Sequence, residues 1–157
     1  YLVEPGFRIM SPSQRLLQKS VIDLDILHHD IDFNFFQYVN GNNATIVCFN
    51  YSIPYGYILC NAIREKGMTA SLFSVNSYSK FNYSYIINDL KRTNNLIVID
   101  DSKSINKSSE KFLIEINKYC NLNSLIILDR REEQNRFYPR HDQLEIDYQS
   151  VVSKLIK

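Results

Sequence analysis

Glycine is scarce in this chain: Gly6, Gly41, Gly56 and Gly67 are the only four in 157 residues, and each stands alone. A phosphate-cradling loop needs glycines close together, so that backbone N–H groups can approach the anion, and a following Lys-Ser or Lys-Thr. Neither is present, which argues against a dinucleotide or P-loop site. The G-x-S-x-G motif of a nucleophile elbow is missing too. No apolar stretch approaches the roughly 20 residues that a membrane helix needs. There is no excess of charge of one sign: 18 Lys and Arg face 17 Asp and Glu, for a net charge of +1, and the densest basic run is Arg130-Arg131. Nucleic acid and anionic membranes are therefore not expected partners. Cysteines are few and odd in number, Cys48, Cys60 and Cys120, without metal-type spacing. That pattern points to small buried residues in a reducing compartment, and so to a cytoplasmic location. The chain opens at Tyr1 with no initiator Met and no basic, apolar leader, and is expected to be a piece of a longer polypeptide.

What is present is an ordinary globular composition, 45% hydrophobic and 22% charged, in a length that can bury a real core. Phe7 to Met10 is a short strand candidate. Ser13 is a candidate cap for a helix with Leu16, Leu17 and Val21 on one face. Phe33, Phe35, Phe36, Tyr38 and Val39 mark a second strand. Asn40-Gly41-Asn42-Asn43 is a turn and the best candidate domain boundary. A regular alternation follows. Strands are expected at Thr45–Phe49, Thr69–Val75, Leu96–Ile99 and Leu125–Leu128, the last two nearly all apolar, as in strands covered on both faces. Between them come three helices. The first runs from Pro54 to Lys66, with Ile58, Leu59, Ala62 and Ile63 inward and Gly67 as its left-handed stop. The second spans about Asn82 to Arg92, and the third carries Phe112, Leu113, Ile116 and Tyr119. An extended stretch through Tyr138-Pro139 precedes a last helix from Asp147, where Tyr148, Val151, Val152, Leu155 and Ile156 form one apolar stripe. The alternation predicts an α/β domain of three layers, α/β/α, with a mostly parallel sheet.

Candidate chemistry is sparse. Asp100-Asp101 follows a strand directly, where open α/β sheets usually hold ligands. Paired carboxylates there suit Mg²⁺ or a phosphoryl group, but a phosphoacceptor site also needs acidic residues after the first strand, where Cys48-Phe49-Asn50 stands. The simpler expectation is that the pair caps a turn or meets a neighbouring subunit. Tyr51 and Tyr55, with Tyr57, crowd the turn after the first strand. Asp100, Asp101, Tyr51 and Tyr55 are thus the candidate strand-end ligand or interface residues. His28-His29-Asp30 has metal-ligating types, but adjacent residues on a regular element point differently. His141 is a lone histidine in a polar segment. No catalytic or metal-binding residue is assigned.

The order of segments resembles the end of a thiamine-diphosphate enzyme of the transketolase type, most nearly the beta subunit of 2-oxoacid dehydrogenases. The residues that carry the resemblance are Pro5-Gly6-Phe7 through Ser11-Pro12-Ser13, Asp32-Phe33-Asn34-Phe35-Phe36, the strand "ATIVCFN", Ile63-Arg64-Glu65-Lys66-Gly67, the segment Ile87 to Asp101 and the tail "FYPRHDQLEIDYQSVVSKLI". It implies a transketolase C-terminal-like α/β domain over 41–157, preceded over 1–40 by the tail end of a pyrimidine-binding-type domain. It also implies that thiamine diphosphate and Mg²⁺ are held by the rest of the enzyme and none is bound by this chain. The chain alone would be inactive, with a structural and assembly role in a homodimer or heterotetramer, partnered by the rest of the enzyme chain or another subunit. In the dehydrogenase complexes it would also help dock the acyltransferase core. The alternative is a stand-alone α/β ligand-binding or regulatory domain that uses the strand-end acidic pair.

Overall fold

A computed structural model describes residues 24–30, 32, 34–76, 82–102, 106–130 and 144–156. The elements are β1 (His28–His29), β2 (Phe35–Val39), β3 (Ala44–Phe49), α1 (Ile53–Glu65), β4 (Ala70–Val75), α2 (Ser84–Thr93), β5 (Asn95–Asp100), α3 (Glu110–Tyr119), β6 (Ser124–Asp129) and α4 (Tyr148–Leu155). The strands form one six-stranded sheet in the order β1-β2-β4-β3-β5-β6. The four strands β4, β3, β5 and β6 are mutually parallel, as the alternation predicts. The antiparallel member is β2, which pairs with β4 and carries the two-residue β1 outside it. The Asn40–Asn43 turn therefore lies within this sheet, joining two of its strands.

Side chains alternate along the central strands and divide the core in two. Ala44, Ile46, Cys48, Leu72, Ile97 and Ile99 meet Leu59, Cys60 and Ile63 of α1 and Val151 and Val152 of α4. Val47, Phe49, Phe73, Val75, Leu96 and Val98 meet Ile86, Ile87 and Leu90 of α2 and Phe112 and Ile116 of α3. Helices thus cover both faces, giving the three layers expected. Gly56 lets α1 sit close on the sheet: a Cβ there would fall 2.5 Å from Cys48 Sγ and 2.7 Å from Leu72 Cδ1. Gly67 ends α1 with φ +76°, while Gly67 N–H donates to the Arg64 carbonyl and Met68 N–H to that of Ile63. Asp147 caps α4, its carboxylate accepting from Ser150 N–H at 3.0 Å.

Three expectations are corrected. Ile58 does not face inward but is 47% exposed, because the buried stripe of α1 runs through Leu59, Cys60 and Ile63. Strand β6 is not covered on both faces: Ile126 is buried on one, while Leu125 and Ile127 are half exposed on the other. Tyr119 and Ile156 end their helices exposed rather than in the apolar stripes. The Phe7–Met10 strand, the helix from Ser13, the stretch through Tyr138-Pro139 and His141 lie outside the described residues. No described helix is long and apolar enough to cross a membrane.

Candidate functional site

The order β4-β3-β5 reverses the direction of winding at β3, with α1 on one face and α2 on the other. The carboxyl ends of β3 and β5 are therefore the topological switch point, the usual ligand crevice of an open α/β sheet. Here a polar network fills that crevice. Asn50, directly after β3, takes a left-handed backbone (φ 59°), a conformation in which Asn is the commonest stand-in for glycine. Its amide reaches Asp100 Oδ1 (3.1 Å), Ser102 Oγ (2.8 Å) and Ser108 Oγ (3.2 Å). Ser52 Oγ donates to the carbonyls of Phe49 (2.7 Å) and Ile99 (2.8 Å), tying the two strand ends together.

Asp100 is fully buried and satisfied by the chain itself. Its Oδ1 accepts from Ser102 N–H at 3.0 Å and Ser102 Oγ at 2.5 Å, and its Oδ2 from Ser109 N–H at 2.7 Å, at the start of α3. The carboxylate thereby holds the β5–α3 turn. Asp101, also buried, pairs with Arg130 at the end of β6 through Nε at 2.8 Å and Nη2 at 2.5 Å. Lys107 Nζ donates to the Arg130 carbonyl at 3.0 Å and lies 3.9 Å from Asp129. The two acids face different partners and do not converge on a common cation. Tyr51 is 45% exposed. Tyr55 is half buried, with its hydroxyl accepting from Leu144 N–H at 3.2 Å, so it fastens the approach to α4 rather than the crevice. Burial, and then Tyr55 and Cys48 nearby, raise the Tyr148 phenol.

A second polar cluster, not anticipated from the sequence, lies near the other end of the strands. Asp89 of α2 accepts from Thr45 Oγ1 (2.6 Å) on β3 and Ser71 Oγ (3.1 Å) on β4. Arg92, one turn on, pairs with Asp89 and reaches the Asn42 side chain, Asn40 Oδ1 (3.3 Å) and Ser71 Oγ (3.4 Å). Thr45 and Thr93 hydroxyls are 2.7 Å apart. The signal was available: hydroxyl residues occupy the second position of two strands that both begin with Ala, and Thr45 pairs with Ser71 in register.

The histidines separate. His28 stacks on Tyr85 (4.2 Å, 21°), whereas His29 lies by Phe36 and its Nδ1 is 2.8 Å from the Asp30 carbonyl. Successive strand residues point to opposite faces, so the two do not share a ligand. Among the described residues, no three His, Cys, Asp or Glu side chains are grouped to hold a metal ion.

No protein-family model matches the chain, and no curated protein matches it. Among solved structures, the chain is similar to one described as a split-gene transketolase, an inactive beta4 tetramer, with a TM-score of 0.63 and 10% identity. The match covers 78% of this chain and 40% of that one, so the present chain spans well under half of the structure it resembles. A second similar structure is the transketolase of Campylobacter jejuni, at a TM-score of 0.47 and 11% identity over 83% of this chain and 18% of the other. The first likeness shows a shared transketolase-like fold; the second is too loose to add to it.

Proposed function

From that shared fold, we propose that the chain is the C-terminal section of a transketolase-like, thiamine-diphosphate-dependent enzyme, that its role is structural and in assembly, and that it is not catalytic by itself. The observation that carries this reading is the closed switch point. Where a ligand-binding α/β domain would offer open polar groups, the carboxylates of Asp100 and Asp101 accept from Ser102, Ser109, Asn50 and Arg130. The same donor set does not fit a diphosphate with Mg²⁺: the turn after β3 has no glycine cradle, and Gly56 is packed against Cys48 and Leu72. Thiamine diphosphate and Mg²⁺ then belong to the remainder of the enzyme, on this chain's own polypeptide or a partner subunit, in a homodimer or heterotetramer. The division expected at Asn40 is then one of sequence segments, with β1 and β2 hydrogen-bonded into the sheet that follows. A cytoplasmic setting suits three cysteines that are all free.

The test is reconstitution. The chain is co-expressed with the upstream coding segment or neighbouring reading frame that supplies thiamine-binding sections, and thiamine-diphosphate-dependent ketol transfer or 2-oxoacid decarboxylation is assayed. Activity that appears in the complex and is lost when this chain is omitted supports the proposal. A complex that neither forms nor depends on this chain overturns it.

A further inference from the structure

Beside the Asp89 cluster, on the face that carries α2, a groove of about 520 Å³ opens between β1–β2 and α2. Its volume lies within the roughly 300–1,000 Å³ of small-molecule sites. Leu27, His28, Gln37 and Asn40 line one side, and Tyr85, Asn88, Asp89 and Arg92, at helical spacing on one face of α2, line the other. We propose that this groove binds an uncharged planar heterocycle with amide-type edges, the chemistry of a nucleoside base.

Three features select that class. The first is an aromatic cluster. Tyr85 packs on both Phe35 (5.3 Å, 24°) and His28 (4.2 Å, 21°), which are themselves 5.7 Å apart, and the exposed member of the three is an imidazole on a two-residue strand. Planar heterocycles pack on exposed rings of this kind, which is how aromatic side chains take up unpaired bases. The second is a set of planar amides. Gln37 is buried and held in place, accepting from the Tyr85 hydroxyl at 3.0 Å and donating to the Val39 carbonyl at 3.3 Å. Asn88 is exposed and bonds no group among the described residues, so both its donor and its acceptor are open to a ligand edge. The third is charge. The one cation of the lining, Arg92, is paired with the one carboxylate, Asp89, and its fork is spread over Asn40, Asn42 and Ser71. The pair cancels, leaving no net charge to anchor a phosphate, so a nucleoside suits the site better than a nucleotide. A cluster that served only to fix α2 on the sheet would need Asp89 and the hydroxyls of Thr45, Ser71 and Thr93. It would need neither the open amide of Asn88 nor the exposed ring of His28.

The inference does not rest on the transketolase-like reading and can fail without it. The experiment is a titration of the isotopically labelled 157-residue chain with adenosine, cytidine, uridine and inosine, followed by backbone amide shifts. AMP and inorganic phosphate serve as charged probes, and glucose as a non-planar one. Saturable shifts confined to the backbone around Leu27–His28 and Tyr85–Arg92 are expected for at least one nucleoside, with AMP no tighter. His28→Ala and Asn88→Ala change exposed side chains and should leave the fold intact, which the unperturbed remainder of the spectrum verifies. Each should weaken binding by roughly three- to tenfold, the worth of one neutral hydrogen bond or stacking contact. The proposal is overturned by no saturable shift with any nucleoside, by shifts centred elsewhere, by glucose or phosphate binding in preference, or by unchanged affinity in both variants.

Discussion

Replacing Asp100 with alanine removes the acceptor on which the β5–α3 turn is built. Two backbone donors, Ser102 N–H and Ser109 N–H, lose the acceptor they have among the described residues, in a buried setting. A buried donor left unsatisfied costs about 1–3 kcal/mol. Ser102 Oγ and the Asn50 amide lose less, because the Ser108 hydroxyl stays within 2.9 and 3.2 Å of them. Water admitted beside exposed Asn50 relieves part of the cost, so the net destabilisation is expected at about 2–4 kcal/mol. Asp100→Asn keeps one acceptor oxygen and should lose roughly half as much. Urea unfolding followed by circular dichroism reads both variants as shifts in midpoint at constant slope. A loss below about 0.5 kcal/mol for Asp100→Ala, the range of an ordinary surface substitution, would refute the view that this carboxylate serves the fold.

Other outcomes follow from the same contacts. Truncation before Asp147 strips Val151 and Val152 from α1, each worth about 1.5–3 kcal/mol, and should lower the melting temperature of the chain at every concentration; a truncated chain of unchanged stability would show that α4 docks elsewhere. Ile63→Ala should cost about 2–5 kcal/mol in a chemical melt, whereas Ile58→Gln should stay within about 0.5 kcal/mol, since only Ile63 is buried. Burial pushes the Cys60 thiol up to about 12 and the Cys48 thiol higher still, so iodoacetamide at mildly alkaline pH should label half-buried Cys120 first, as read by mass spectrometry after digestion. Burial works against Asp30 ionising, but hydrogen bonds from Asn34 and Phe35 outweigh it and set its pKa below the usual aspartate range. The stability Asp30 adds is therefore present above the unfolded value of about 3.9 and lost as pH falls through the lower folded value, so the stability gap to Asp30→Asn should close in acid.

The parallel sheet was legible because β3, β5 and β6 carry nearly unbroken apolar runs that alternate with periodic helices, the first of which stops at Gly67. Periodicity reports how apolar a segment is, not which neighbour covers it. Ile58 and Ile127 look like core residues in sequence and are half exposed, because α1 turns its other side inward and β6 buries the face that carries Ile126 instead. The antiparallel β2 was visible as a strand, but its place beside β4 depends on pairing across 36 residues, as between Gln37 and Phe73. At the candidate site, the turn-capping expectation fits Asp100, whereas Asp101 pairs with Arg130 of the same chain. The partners that satisfy the two acids, Asn50, Ser109 and Arg130, come from three separate connections, and no local pattern brings them together. The Asp89–Arg92 cluster was missed although Thr45 and Ser71 occupy matching strand positions, because the acid and the guanidinium that join them come from α2.

If the chain is an assembly section with no cofactor site of its own, titration calorimetry of the 157-residue chain with thiamine diphosphate and Mg²⁺ should show it. No saturable heat beyond dilution is expected, with or without the metal. Saturable, Mg²⁺-dependent binding of the cofactor to the isolated chain would contradict it.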